Sequence, residues 1–321
     1  MSGARKGIGW LGLLVGVFLL FFPAVGGRYL VSFLIFLFMY IGLASAWNLF
    51  SGFCGYLSLG HGLFFGVGAY TCAVAVVRLG LPFAVGIPLG GLVAMAVAVL
   101  FGFILLRVRF RIAYFAMVTL GLNEIIRTLI TNSTYLGETY GFTLPPMSTP
   151  NIAYYILLGV AVLSVGASWA FRRSRRGLAL SAILGDEDVA AMMGVNTFRE
   201  KMAAFVLSGL FPGLIGGTVA WYWSYIDPFM AFDLLFSFDM AIMTLFGGIG
   251  TIWGPVIGAS VISLLVEMLW TNLRNLHAII FGALVVVLVI LSPGGMLELA
   301  RRWPFRGRRP VEEADIVEAQ G

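Results

Sequence analysis

The chain has 321 residues, 60% of them hydrophobic and 11% charged, where an ordinary soluble domain carries about 25% charged residues. Mean hydropathy is +0.98 and net charge +5. This excludes a soluble globule, which needs more polar surface, and a disordered chain, which needs high charge and low hydrophobicity; the 41 glycines have no three-residue period, which excludes a collagen. The chain reads as an all-α polytopic membrane protein.

Apolar runs separated by polar or Gly/Pro punctuation predict ten spans, at 8–26, 29–50, 61–79, 82–106, 112–131, 151–171, 201–225, 234–250, 253–270 and 277–292. The first follows Arg5 and Lys6, contains Pro23 and ends in Ala24, Gly26 and Gly27, a profile that also resembles a secretory signal peptide. A retained helix is preferred, because ten spans with both ends on one side fit the charges better than nine.

Between residues 51 and 70 stand Gly52, Gly55, Gly60, Gly62, Gly66 and Gly68, too many for a straight helix. A break is expected between Gly52 and Gly60, with Ser58 and His61 at it. Backbone groups freed there must be buried in protein or line a cavity. Gly62 and Gly66 are spaced for close helix packing. His61 reads first as a hydrogen-bonded interior group and second as a pathway residue; no metal-ligand cluster accompanies it. Cys54 and Cys72 form neither a CxxC pair nor a disulfide framework.

In the span 112–131, Glu124 and Arg127 are three residues apart and can pair. The plain reading is a structural ion pair; the functional one is a contact for charged substrate near the outer gate, with Asn123 beside it. Residues 132–150 form a polar outer loop. Trp221, Tyr222, Trp223 and Tyr225, just before Asp227 and Pro228, read as an aromatic belt. Asp239 and Glu267 sit in later spans, where they can face a wet pathway, cap a helix end or meet another subunit. Gly247, Gly248, Gly250, Gly254 and Gly258, with Pro255, predict a second break. Paired breaks in the two halves point toward a central site.

Charge placement orients the chain. With the N-terminus cytoplasmic, sixteen of the 20 Lys and Arg residues fall on the cytoplasmic side, Arg28, Arg78 and Arg274 fall outside, and Arg127 lies within a span. Residues 1–300 make one transmembrane domain and 301–321 a basic, then acidic, cytoplasmic tail whose arginines can touch anionic lipid. The largest cytoplasmic loop, 172–200, carries Asp186, Glu187 and Asp188 ahead of Val189, Ala190, Ala191, Met192 and Met193, with Gly194 after them. Acids at the start and a glycine at the end predict a short helix. Val189, Met192 and Met193 give it a narrow apolar face, and Ala190 and Ala191 let another backbone approach. A partner groove can bury that face, and the plainer reading is a helix that lies on the membrane surface or tucks under the bundle.

The stretch GLALSAILGDEDVAAMMGVNTFREKMAAFVLSGLFPGLIGG resembles the coupling-helix region of ABC-importer permeases of the branched-chain amino acid family. WNLFSGFCGYLSLGHGLFFGVGAYT (47–71), TLGLNEIIRTLITN (119–132) and MTLFGGIGTIWGPVIGA (243–259) resemble the same family, in the same order. The length and span layout look more like the longer of the two permeases that pair in such importers. The chain departs from the family at Tyr56, where Gln is usual, at Val189 before the two alanines, and at GETYG in the outer loop.

The resemblance implies a pathway-forming subunit in a bacterial inner membrane that does no chemistry itself. It implies a second permease, a periplasmic binding protein, and two cytoplasmic ATPase subunits that hold the ATP and magnesium and dock on residues 186–194. This chain then needs no cofactor and no nucleic acid. The implied substrates are branched-chain or other hydrophobic amino acids, with urea, amides and aromatic acids known for relatives. The competing class is a stand-alone ion-coupled carrier or channel. A membrane enzyme is disfavoured, since no HExxH or GxSxG motif and no His/Cys cluster is present.

Overall fold

The computed structural model describes residues 19–23, 27–108, 112–272 and 282. The predicted span 277–292, most of 8–26 and the tail 301–321 lie outside these residues; 19–23 are helical.

The described chain is mostly helical, with irregular connections and two two-residue strands. The helices are α1 (Arg28–Trp47), α2 (His61–Val77), α3 (Phe83–Arg107), α4 (Ile112–Thr131), α5 (Pro150–Arg173), α6 (Arg175–Gly185), α7 (Glu187–Met192), α8 (Thr197–Trp223), α9 (Pro228–Ala231), α10 (Leu234–Gly247) and α11 (Gly254–Asn272). Six are long and apolar enough to cross a membrane: α1 with its extension to Gly52, α3, α4 from Ala113, α5, α8, and α10 taken together with α9. Apolar α2 and α11 are shorter. Each of the eight coincides with a predicted span.

Local chemistry sets the boundaries. Ser174, Asp186, Asn196, Asp227 and Asp233 each accept a backbone N–H from the first turn of the helix that follows, giving α6, α7, α8, α9 and α10 side-chain caps. Pro150 opens α5, where its missing N–H costs nothing. Gly194 (φ +87°) takes the left-handed turn that stops α7.

Helix α8 is the centre of the bundle. Ala204, Phe205 and Ala220 join α2 and α3 in one core. Phe211, Ile215 and Val219 join α1, α5, α10 and α11 in the other. Where α8 crosses α2, a β-carbon on Gly68 would overlap the carbonyl of Gly213, and one on Gly216 would overlap the carbonyl of Phe65. The backbones touch there, as small residues allow in bilayers. Gly62 and Gly66 serve differently: they receive the Ser237 side chain and the Phe232 ring.

One end of the bundle carries α6 and α7. At the other, β1 (Phe142–Thr143) pairs antiparallel with β2 (Tyr225–Ile226), Phe142 opposite Ile226. This ties the loop after α4 to the turn after α8, and Leu144 N–H adds a bond to the Ser224 carbonyl at 2.9 Å.

Candidate functional site

Both predicted breaks are present, and they meet. Helix α1 widens into a π-turn at Asn48–Gly52, and residues 55–60 run without regular structure before α2. Residues 248–253 are the second interruption, between α10 and α11. Asn48, fully buried, bridges them. Its amide donates to the Thr251 carbonyl at 2.7 Å and its oxygen accepts the Gly250 N–H at 2.9 Å. Arg172, at the end of α5, donates to the Gly250 carbonyl and lies over the Phe53 ring.

The 55–60 segment turns back into the bundle. At about 1.5 Å per residue α2 is about 25 Å long, short of a hydrocarbon core of about 30 Å, and the irregular segment precedes it. Its backbone is satisfied by neighbours. Trp47 donates to the Ser58 carbonyl at 2.7 Å, Ser51 accepts the Ser58 N–H at 3.3 Å, and Thr119 of α4 accepts the Leu59 N–H at 3.1 Å. Ser237 of α10 accepts the orphan Gly62 N–H at the start of α2 at 2.8 Å.

His61 sits at the end of this segment with no exposure. Nδ1 is 2.9 Å from the Ser58 hydroxyl and Nε2 is 3.0 Å from the Ser208 hydroxyl of α8. Phe50, Phe64 and Phe205 surround the ring. Ser58 and His61 are thus brought together, as an interior hydrogen-bonded unit that ties the segment to α8. Ser208, its third member, had no distinguishing signal in a run of small and apolar residues.

At the same end of the bundle, α6 and α7 form a bent pair. Helix α6 buries Leu180 and Ile183, and α7 buries Ala190. Asp186 caps α7, its Oδ1 accepting from Asp188 N–H at 2.9 Å and Val189 N–H at 3.0 Å. Val189, Met192 and Met193 are 54, 83 and 81% exposed, and Leu178 on α6 is 70% exposed. Replacing Asp186 by alanine removes the cap and is expected to cost about 1 kcal/mol. Faster amide exchange at Asp188 and Val189 would report it.

Glu187, grouped with the capping acids from sequence, turns inward instead. Its carboxylate meets the Lys201 ammonium of α8 at 2.5 Å and accepts from the Tyr56 hydroxyl at 2.7 Å. Lys201 is also 3.3 Å from the Tyr56 oxygen and lies 4.6 Å from the centroid of its ring. Burial raises the Glu187 pKa, but the hydrogen bonds from Lys201 and Tyr56 outweigh it and hold the carboxyl below the usual glutamate range. Its stabilising contribution is therefore complete above that range and is lost as pH falls through the lowered value. Nothing local in the sequence marks Lys201 and Tyr56 as a pair, since 145 residues separate them.

The remaining predicted residues lie toward the other end. Asn123 is fully buried and donates to the Phe232 carbonyl at 2.8 Å. Glu124 and Arg127 form their ion pair, with Arg127 over the Phe229 ring. Asn123 is one turn of α4 beyond Thr119, about 6 Å along the helix from the contact with segment 55–60. Asp239 accepts from Tyr40 at 3.1 Å, and Glu267 accepts from Tyr29, so both tie α1 to later helices. In the aromatic cluster, Trp221 stacks on Phe83 and Tyr222 donates to Ser32.

The family model described as branched-chain amino acid transport system / permease component matches residues 29–289. The chain is 29% identical over 295 residues to the high-affinity branched-chain amino acid transport system permease protein LivM of Salmonella typhimurium, covering 82% of this chain and 68% of that one. It is 28% identical to LivM of Escherichia coli K12, with the same coverage. Against the permease protein LivH of that organism it is 22% identical over 288 residues, covering 80% of this chain and 91% of LivH. No solved structure matches the chain.

Proposed function

The chain belongs to the branched-chain amino acid transport permease family, and from that premise we propose that it is the longer of two paired permeases in an ATP-driven importer. It is a membrane transport subunit, not an enzyme. In this reading ten spans cross the bacterial inner membrane with both termini in the cytoplasm. A periplasmic binding protein delivers branched-chain or other hydrophobic amino acids, and two ATPase subunits close on the cytoplasmic face.

One observation carries the proposal: a side-chain-capped helix pair, fixed to the bundle by Leu180, Ile183 and Ala190, holds Leu178, Val189, Met192 and Met193 bare. A self-sufficient carrier has no use for such a face; an ATPase groove buries it. ATP-driven closure then switches the pathway between outward and inward access. Ser58 and His61, at the break that enters the bundle, and Asn123, Glu124 and Arg127, toward the outer end, are its candidate pathway residues.

Met192→Asp with Met193→Asp places two charges on that face without touching a buried residue. The permease is expected to insert and fold while co-purification of the ATPase subunits is lost; undiminished co-purification would overturn the docking assignment. The substrate is read from the ligand held by the partner binding protein. Leucine, isoleucine or valine is expected there, and urea or an aromatic acid alone would overturn the substrate while leaving the importer reading intact.

A further inference from the structure

Asp186 already caps α7, so the inward turn of Glu187 is not needed to start that helix. The Glu187 carboxylate instead reaches two elements at once. Oε1 pairs with Lys201, at the base of α8, and Oε2 accepts from Tyr56, in segment 55–60. The Lys201 side chain is 1% exposed. Moving α7 away from it would strand an ammonium ion in a low-dielectric interior, which is costly. The ion pair therefore holds Glu187 against α8, and movement of α7 about that point passes to Tyr56 in the irregular segment.

The same two elements are joined a second time, deeper in the bundle. His61 Nδ1 meets Ser58, in the segment, and Nε2 meets Ser208, on α8. Tyr56 is two residues before Ser58, and Lys201 is seven residues, about two turns of helix, before Ser208. A displacement of α7 that shears the segment against α8 at Glu187 arrives at His61 as a change in its two hydrogen bonds. Segment 55–60 has no regular structure to absorb the movement in a helical hydrogen-bond ladder.

We infer that Tyr56, Glu187 and Lys201 are positioning residues that form one joint, carrying movement of the cytoplasmic helix pair into segment 55–60 and onto the Ser58–His61–Ser208 contact. The inference rests on the reading of α6 and α7 as the ATPase dock. It assigns Glu187 a role inside the permease, distinct from the exposed methionines that face the partner.

The test uses the importer assembled from this permease, its partner permease and the ATPase subunits. Backbone amide exchange is compared between the nucleotide-free and ATP-trapped complex. In the natural protein, ATP is expected to change exchange in both 175–192 and 55–60. Tyr56→Phe keeps the ion pair and removes both hydrogen bonds of the Tyr56 hydroxyl; Glu187→Met with Lys201→Met removes the pair without leaving a lone buried charge. In both, the response at 175–192 is expected to persist while that at 55–60 shrinks roughly fivefold or more, a span typical of coupling between sites. Substrate carried per ATP hydrolysed, measured with the substrate-loaded binding protein, falls with it. A purely structural role would lower the amount of complex and leave that ratio unchanged. A full response at 55–60 in both variants overturns the joint alone. No response at either segment in the natural complex overturns the docking reading, and the joint with it.

Discussion

Methionine at Glu187 is expected to destabilise the permease more than methionine at Lys201, and the double replacement to be milder than either. The order follows from burial. Lys201 is 1% exposed and Glu187 18% exposed. Removing the carboxylate leaves a fully buried ammonium beside the neutral Tyr56 hydroxyl, at a cost of about 3–5 kcal/mol. Removing the lysine leaves a carboxylate that keeps some contact with water and the Tyr56 hydroxyl, so its cost falls at or below the bottom of that range. With both replaced, no charge is desolvated and two flexible thioethers fill the space, which brings the variant to within about 1–2 kcal/mol of the natural chain. Cys54 and Cys72 are buried at 3% and 0% exposure and report unfolding in detergent through a thiol-reactive dye. A thermal midpoint for Glu187→Met at or above that of Lys201→Met would contradict this account of the pair.

The second large effect lies at the crossing of α2 and α8. A β-carbon at Gly68 meets the Gly213 carbonyl, which is backbone and has no rotamer to yield. Even Gly68→Ala must push the helices apart, loosening the contact between the two cores. The expected cost is about 3 kcal/mol, at the upper end for overpacking. In a bilayer nothing compensates, because helix association depends on close packing instead of water exclusion. Gly121 is the control: a β-carbon there has nothing within 4 Å, and Gly121→Ala in α4 is expected to be neutral or to stabilise by up to about 1 kcal/mol. Comparing monodisperse yield and thermal midpoint for the two alanine variants tests the crossing directly.

Much of this architecture is visible in one dimension, for reasons that differ by element. Spans announce themselves because a bilayer demands long apolar runs. The breaks at Gly52–Gly60 and Gly247–Gly254 announce themselves because glycine density is incompatible with uninterrupted helix. Helix α7 was readable from Asp186 and Gly194, whose chemistry acts on neighbouring backbone. Helix α6 is not legible in this way: its Leu180 and Ile183 are too few to stand out beside Arg172–Arg176. Contacts between distant residues left no trace. Nothing local marks Asn48 as the residue that grips Gly250 and Thr251, or Lys201 as one drawn inward from a basic stretch. Gly62 and Gly66 carried the expected packing spacing, yet the backbone-to-backbone approach falls on Gly68, since rotation of α2 about its own axis is set by α8 and α3. Tyr56 was visible only as a departure from the family pattern; its contact with Glu187 shows what the phenol reaches.

The Asn48 bridge also ties together the two places where the helices are interrupted. Two interruptions that bent independently would allow four combinations of straight and bent. The Asn48 amide bonds to Gly250 and Thr251 through both its donor and its acceptor, from a turn that leads directly into the first interruption. Bending one interruption without the other would break both of these partly buried bonds. The geometry of one interruption is thus tied to that of the other through a single side chain.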